Sequence, residues 1–262
     1  MIFDVGSARS KIENIQKACE EALQHSRGDV VPEIPARDVL VLTADKHPDK
    51  KGLSYREGQA RLLHDLGSIE LQAMELAYRT LVEYPEAPSG FREELAEVTL
   101  SEAKHFELCL NGIEKLGHHW GEWPVHTVLW EAVSTEDTLL DRILIVHRYL
   151  EGSGLDAGET LLRRLDHILE SDVHPVVRTI FHDEVGHVEF GSRWYREICA
   201  MEKRDPQVDF PERMSLLKER LPKRMEKISH RLRKQAGFTD FEIQILEERR
   251  QQAMDRLAAL KK

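Results

Sequence analysis

Aromatic residues, glycine and proline are scarce in this sequence: aromatics make up 6% of the 262 residues, with 15 glycines and 10 prolines. β-Sheets are usually rich in aromatic and β-branched residues, so this composition argues against a sheet protein. Charged residues reach 32%, which suits the solvent faces of amphipathic helices. The composition therefore predicts an all-α protein, and 41% apolar residues are sufficient for a sizeable core.

Cysteine and long apolar runs are also lacking. Cys19, Cys109 and Cys199 are odd in number and widely spaced, so they match neither a zinc site nor a secreted disulfide framework. No apolar run approaches the ~20 residues that cross a bilayer, and the opening residues lack the apolar core of a signal peptide. These absences predict a cytoplasmic protein with reduced thiols and no membrane partner.

An overall excess of positive charge is missing too, since the formal net charge is −10. A surface built throughout for nucleic acid is therefore excluded, although residues 211–235 carry nine Lys or Arg against three Glu. This basic segment could contact nucleic acid, or it could form a solvated amphipathic helix packed against an acidic bundle. We favour the helix, because the sequence lacks interleaved aromatics for base stacking.

The spacing of apolar residues predicts four long helices, preceded by a short one at residues 8–25. Pro85 and Pro88 stop the first long helix, Ser89 is the predicted cap of the second and Gly117 its predicted stop. Pro175 lies near the start of the fourth. The predicted long helices cover residues 55–84, 89–117, 136–154 and 175–202, with a shorter helix at 157–171.

A long connection separates the second long helix from the third. Four helices with one such crossover match a ferritin-like four-helix bundle, although the helix period alone does not fix that topology. The order of elements predicts three parts: an N-terminal helix and irregular arm (1–54), the bundle (55–205) and a basic helical C-terminal extension (206–262).

Two Glu-x-x-His motifs fall on the predicted core faces of the second and fourth helices. Counting by threes and fours places Glu102 and His105 on one apolar stripe, and Glu184 and His187 on another. Such spacings are common by chance in a chain with this much Glu and His. Their position is more informative, because an ionised carboxylate on a core face costs several kcal/mol unless a cation or strong donors compensate it.

The first and third helices each add one inward-facing carboxylate, Glu70 and Glu151. The separation from Glu70 to Glu102 is nearly the same as that from Glu151 to Glu184, so the chain reads as two copies of a helix pair. Four carboxylates and two imidazoles suit two divalent ions, with iron, manganese or a mixed iron–manganese pair as candidates. The alternative is a set of buried ion pairs or hydrogen-bonded core side chains.

Five segments resemble a known family: LLHDLGSIELQAMELA, EAKHFELCLNGIEKLG, WPVHTVLWEA, RYLEGSGLD and HDEVGHVEFGSRW. They are similar to the ferritin-like bacterial family catalogued as domain-of-unknown-function family 455, over about residues 55–200, with a weaker similarity in RKQAGFTDFEI. The resemblance implies a ferritin-like fold and a dinuclear metal site whose six ligand positions are all occupied. The wider superfamily implies that Asp183 accepts a hydrogen bond from a metal-bound His105, beside the alternative of a solvated aspartate.

These features predict a dinuclear metal oxidoreductase that activates oxygen or peroxide, with hydroxylation of a substrate not yet identified as one candidate reaction. An external electron donor is implied, because the chain has neither a Cys-x-x-Cys pair nor a dinucleotide fingerprint. A dimer is one candidate assembly. The predicted roles are terminal or flexible ligands for Glu70 and Glu151, bridging ligands for Glu102 and Glu184, and one nitrogen ligand per metal for His105 and His187.

Two other classes of function stay open. One is iron binding without catalysis on an organic substrate, as in a ferroxidase, a storage protein or a metal buffer. The long segments at both ends favour an enzyme over a minimal storage cage. The other is an interaction module that acts through its basic segment.

Smaller features have two readings each. Gly67, Gly154 and Gly191, close in sequence to the predicted ligands, indicate either space beside the metals or close helix packing. The histidines of the crossover, His118, His119 and His126, indicate a packed loop rather than a second metal site. Cys109 reads as a small buried hydrophobe rather than a redox-active thiol.

Overall fold

The computed structural model describes residues 2–24, 30–168, 171–223 and 226–260, most of which are helical. No strand occurs in these ranges, where extended pairing is limited to one bridge between Val41 and Val125. The all-α prediction is confirmed, and the helices are compatible with a bundle; the ferritin-like assignment and the three-part division stay predictions. The helices are α1 (Ala8–Gln24), α2 (Arg56–Glu83), α3 (Ser89–Lys115), α4 (Leu139–Ile143), a π-helix (Leu144–Leu150), α5 (Glu151–Leu165), α6 (His174–Met201), α7 (Pro206–Leu216), α8 (His230–Gln235) and α9 (Asp240–Leu260).

The chain divides into two compact units. The first unit is Met1–Glu131 with Arg164–Ile180, and the second unit is Ala132–Arg163 with Phe181–Lys262. In the first unit α2 packs along α3, and α1 packs against both. Among the described residues, no helix has both the length and the apolar character to cross a bilayer.

The ends of α2 and α3 follow from proline and glycine. The helix α3 begins at Ser89 with Pro88 in the capping position, and no side chain caps it, so the predicted Ser89 cap is wrong. Gly117 ends α3 as predicted. Its φ of +83° is a left-handed conformation that glycine adopts freely, and its N–H donates to the Glu114 carbonyl at 2.9 Å.

A buried ion-pair network ties the N-terminal residues to α2. Lys11 and Glu75 have fully buried side chains, and Lys11 Nζ lies 2.5 Å from Glu75 Oε1. Arg37 donates from Nη1 to the same oxygen at 2.7 Å and from Nη2 to the other oxygen. Burial lowers the pKa of Lys11, whereas the charge of Glu75 opposes that shift. One carboxylate thus pairs with two cations inside the first unit.

The loop after α3 packs around His64 of α2. His64 is fully buried, its Nε2 accepts a hydrogen bond from the Gly121 N–H at 3.1 Å, and its ring stacks on Trp120 with 4.6 Å between centroids. Trp123 meets the same ring edge-on at 5.4 Å. The start of the crossover is therefore a packed loop, in agreement with the interpretation of its histidines.

We predict that His64 makes the protein less stable in acid. Burial lowers the pKa of His64 from 6.5 to about 4, so the folded state resists a proton that the unfolded state accepts. The stability that depends on the neutral ring is complete above pH 6.5 and is lost progressively as the pH falls from 6.5 towards 4. Protonated Nε2 also can no longer accept from Gly121.

Urea unfolding between pH 7 and pH 4 tests this prediction. His64→Gln should lose roughly 1–3 kcal/mol less stability over this range than the wild type, since its amide does not titrate. The matched control is His119→Gln, because the side chain of His119 is 75% exposed. Equal pH dependence in the wild type and His64→Gln would contradict the assignment to His64.

One uninterrupted helical run extends from α4 through the π-helix to the end of α5 at Leu165. The predicted helix end near residue 154 and the separate helix at 157–171 are therefore wrong, although residues 169 and 170 lie outside the described residues. Two glycines of this run, Gly152 and Gly158, make room for side chains from other helices. A Cβ on Gly152 would lie 2.1 Å from Arg233 Nη1, and one on Gly158 would lie 2.2 Å from the Phe181 ring.

The basic segment is not a single helix. The helix α7 ends at Leu216 and α8 begins at His230, with residues 224 and 225 outside the described part of the chain. Two of its cations are buried: Arg213 Nη1 lies 2.5 Å from Asp141 Oδ1, and Arg233 Nη2 lies 2.7 Å from Asp156 Oδ2. The prediction of a solvated amphipathic helix is wrong here, because these two cations are buried in ion pairs with Asp141 and Asp156.

Candidate metal centre

Three predicted ligands of the first unit come from two packed helices. Glu70 lies on α2, Glu102 and His105 lie about one turn apart on α3, and none is more than 4% exposed. His105 Nδ1 lies 3.4 Å from Glu70 Oε2 and 3.6 Å from Glu102 Oε2. The packing of α2 on α3 therefore brings the single glutamate and the Glu-x-x-His motif of the first copy together.

The separations around His105 suit ligands of a common ion. Both the 3.4 Å and the 3.6 Å contact exceed the roughly 2.7–3.2 Å of a normal N–H···O hydrogen bond. Two ligand atoms that each lie about 2.1 Å from one ion are about 3.0–3.6 Å apart for bond angles from about 90° to 120°. Carboxylate and imidazole ligands are also the types that iron and manganese take in proteins. The residues present fit a transition-metal ion.

Close packing surrounds this ligand set. A Cβ on Gly67 would lie 3.2 Å from Cys109 Cβ, so the glycine lets α2 approach α3. Burial, followed by the charge of Glu70, raises the pKa of the Cys109 thiol well above its usual range. Cys109 therefore stays a protonated thiol, which is a poor nucleophile. These contacts support the packing explanation of Gly67 and the reading of Cys109 as a buried hydrophobe.

The second unit repeats the ligand types and adds one imidazole. Glu184 and His187 are buried about one turn apart on α6, with His187 Nδ1 3.5 Å from Glu184 Oε1. Glu151, the first residue of α5, is also buried, and its Oε1 lies 2.8 Å from Nδ1 of His147. His147 belongs to the π-helix and is fully buried.

The other two glycines near the predicted ligands differ from each other. A Cβ on Gly191 would lie 2.5 Å from His147 Cβ, so close packing explains this glycine. A Cβ on Gly154 would meet no atom within 4 Å in the described part of the chain. Of Gly67, Gly154 and Gly191, only Gly154 therefore has open space beside it in the described part of the chain.

Asp183 lies on α6 directly before Glu184. Its side chain is 45% exposed, and its Oδ1 lies 3.2 Å from Nδ1 of His182. The predicted hydrogen bond from His105 to Asp183 stays a prediction.

All six predicted ligands are thus buried. Glu102 and His105 in the first unit, and Glu184 and His187 in the second, are carboxylates and imidazoles of the kind that hold a metal ion.

Comparison with known proteins places this chain in a family. The family model described as "Protein of unknown function (DUF455)" matches residues 5–244. The chain belongs to the DUF455 family. An uncharacterized protein of Haemophilus influenzae (strain ATCC 51907 / DSM 11121 / KW20 / Rd) is 30% identical over 223 residues, which are 82% of this chain and 76% of the relative. No solved structure shows a significant match.

The DUF455 match is longer than the stretch that carries the sequence resemblance. It starts before α1 and ends within α9, so it includes the six predicted ligands and the Lys11–Arg37–Glu75 network. The N-terminal arm and the basic segment are therefore parts of the DUF455 region and not additions to it.

His147 is a residue beside the predicted ligands that the sequence analysis did not single out. The helical count passes through His147, but a single histidine on an apolar stripe is usually a core residue. The signal that could have found it is its spacing of four residues from Glu151, because side chains at that spacing meet on one face of a helix.

Proposed function

We propose that this DUF455 protein is a dinuclear metal oxidoreductase that activates oxygen or peroxide, with iron, manganese or one ion of each as its cofactor. The observation that carries the proposal is the position of His105. Its Nδ1 has the Glu70 carboxylate at 3.4 Å and the Glu102 carboxylate at 3.6 Å, in a region where all three side chains are buried.

The energetics of burial support a cation at this position. Each ionised carboxylate that is removed from water costs several kcal/mol, and a divalent ion offsets that cost for several carboxylates at once. Glu75 shows how this chain neutralises a structural carboxylate, with Lys11 and Arg37 on its two oxygens. Glu70 and Glu102 are placed around an imidazole, which is an arrangement typical of metal ligands.

Each copy of the motif would supply ligands for the two ions. Bound iron or manganese would supply the one-electron redox chemistry that oxygen activation needs. The carboxylates would balance the metal charge and the imidazoles would provide neutral nitrogen ligands. Buried neighbours such as Phe106 and Cys109 would exclude water from the first set. The predicted ligands are Glu70, Glu102 and His105 in the first unit and Glu151, Glu184 and His187 in the second.

We further propose that electrons come from a separate reductase or a small reductant, because the sequence contains no electron-carrying motif of its own. The cytoplasm is the compartment that fits best. Cys19, Cys109 and Cys199 are all buried free thiols, which a reducing compartment preserves.

Metal titration tests the proposal directly. Fe(II) is added anaerobically to purified metal-free protein, unbound ion is removed, and oxygen is admitted while the visible spectrum is recorded. We expect two retained irons per chain and a new near-ultraviolet or visible band on exposure to oxygen. A parallel titration with Mn(II) compares the two metals.

Three results would count against an oxidoreductase with a dinuclear centre. Retention of no metal would favour the interaction-module alternative, and retention of one ion per chain would contradict a dinuclear site. A large assembly that retains many more than two irons per chain would favour storage. Measuring the iron per chain and the particle size on the same sample distinguishes storage from a dinuclear centre.

A further inference from the structure

The second unit contains an imidazole that the proposed ligand set does not use. His147 is fully buried, and its Nδ1 lies 2.8 Å from Glu151 Oε1. An ionised carboxylate offers only acceptors, so Nδ1 carries the proton and donates it to this hydrogen bond. The residue four positions before Glu70 in the first copy is Leu66. The two copies therefore differ at this place.

The other ring nitrogen of His147 lowers the stability of the fold. Nε2 is buried and has no hydrogen-bond partner among the described residues. The ring meets Phe190 edge-on, with 5.2 Å between centroids and an interplanar angle of 87°. A buried polar atom without a partner is unfavourable, and an apolar side chain such as leucine would avoid that penalty. Apolar packing alone therefore does not account for histidine at this position.

The backbone around His147 is irregular at the same residue. His147 lies in the π-helix Leu144–Leu150, a rare geometry that is frequent at functional sites. A Cβ on Gly191 would lie 2.5 Å from His147 Cβ, 3.1 Å from its carbonyl carbon and 3.2 Å from its carbonyl oxygen. Only glycine permits α6 to come this close, although glycine is unfavourable inside a helix.

The π-helix is also anchored on its other side. The Arg148 guanidinium lies over the rings of Tyr195, Phe210 and Phe238 at 4.8, 4.8 and 4.4 Å, and its Nη2 lies 2.8 Å from Glu242 Oε1. Arg148 directly follows His147, so this cluster fixes the segment that presents the imidazole. The position of His147 is therefore set by its own backbone and by its neighbours.

We propose that His147 is a positioning residue whose Nδ1–H holds the Glu151 carboxylate in the orientation that binds a metal ion. The inference rests on the proposed function, because Glu151 is one of its six ligands. Since the first copy has Leu66 at the corresponding place, His147 makes the two ion sites unequal in affinity. This role explains why the chain keeps a buried Nε2 without a hydrogen-bond partner, a π-helix and a glycine inside α6 at this place.

Two substitutions of His147 separate positioning from packing. His147→Leu keeps a side chain of similar width without a donor, whereas His147→Asn places an amide N–H close to where Nδ1 lies. We expect His147→Leu to bind one of the two ions about 10- to 100-fold more weakly, the usual loss for an outer hydrogen-bond partner of a ligand. His147→Asn should restore most of that affinity. Affinities are measured with Fe(II) or Mn(II) against a competing chelator.

The thermal midpoint of the metal-free protein provides a second readout. We expect His147→Leu to lower this midpoint, because it leaves the buried Glu151 carboxylate without its donor, and His147→Asn to restore it, because the amide N–H donates in the same place. A packing role predicts a lower midpoint in both variants, with no rescue by asparagine. That result would overturn the proposal.

A pair of glycine substitutions tests the same idea without removing a proposed ligand or His147. Gly191→Ala should displace His147 and weaken the same ion, whereas Gly154→Ala should not, because its Cβ would meet no described atom within 4 Å. If the wild type binds two ions and His147→Leu and Gly191→Ala bind both with unchanged affinity, only the role of His147 is refuted. If the wild type binds no metal, both the proposed function and the role of His147 are refuted.

Discussion

Replacing Glu102 with alanine is expected to lower the iron retained by each chain from two ions to fewer than one. Glu102 is fully buried, and its Oε2 lies 3.6 Å from His105 Nδ1. Loss of an outer partner of a ligand already weakens metal binding about 10- to 100-fold, so loss of a ligand should exceed about 100-fold. If Glu102 has the bridging role that the sequence predicts, the binding of both ions should be weakened. Anaerobic Fe(II) loading followed by metal analysis measures the change.

Glu184→Ala distinguishes one dinuclear centre from two separate sites. If the two ions share carboxylates, Glu102→Ala and Glu184→Ala each remove both ions, and the double variant is no worse than either single one. Independent sites would lose one ion in each variant and both in the double variant, since distant substitutions are additive. Glu107→Ala and Glu189→Ala are the matched controls. Glu107 is exposed on α3, and the side chain of Glu189 on α6 is 44% exposed.

The helix boundaries that proline and glycine set could be predicted from the sequence. The helix α2 ends at Glu83, just before Pro85, and α3 ends at Lys115, just before Gly117. These residues act on their own backbone, through a missing N–H or a left-handed conformation, so no distant contact is needed to see their effect. The same reasoning placed the start of α6, at His174, beside Pro175.

The helical run through α4 and α5 could not be predicted by the same means. A π-helix has a different residue repeat, so a pattern read at 3.6 residues per turn does not show that it continues. Gly152, inside the predicted third helix, and Gly158, inside the predicted shorter helix, each accommodate a side chain from elsewhere in the second unit, Arg233 and Phe181. Glycine is unfavourable inside a helix, and these tertiary contacts explain its presence here.

The predicted ligands could be recognised in the sequence because charged side chains are unexpected on an apolar helix face. A carboxylate on an apolar stripe demands an explanation, and Glu70 and Glu102 are indeed buried beside His105. His147 raised no such conflict, because histidine is tolerated in a core. Its importance depends on a hydrogen bond, a π-helix and a glycine of another helix, which the local sequence does not reveal.

Glu75→Gln is expected to destabilise the protein by about 3–5 kcal/mol, the usual cost of removing one partner from a buried ion pair. The carboxylate of Glu75 accepts from Lys11 and Arg37, whose side chains are 0% and 5% exposed. A neutral amide would leave both cations in a region where burial already lowers the pKa of Lys11. Urea unfolding of the metal-free protein measures the loss, and metal binding should remain at two ions per chain.

Glu70→Gln is the matched comparison, because Glu70 is another buried glutamate on the same helix. The Glu70 and Glu102 carboxylates lie 3.4 and 3.6 Å from the same ring nitrogen of His105, so two like charges are gathered around one atom. We expect Glu70→Gln to leave the metal-free protein equally stable or more stable while it weakens metal binding. Opposite effects of the two substitutions would separate a glutamate that holds the fold from one that holds a metal. Equal destabilisation by both, with metal binding unchanged, would identify Glu70 as structural and remove it from the ligand set.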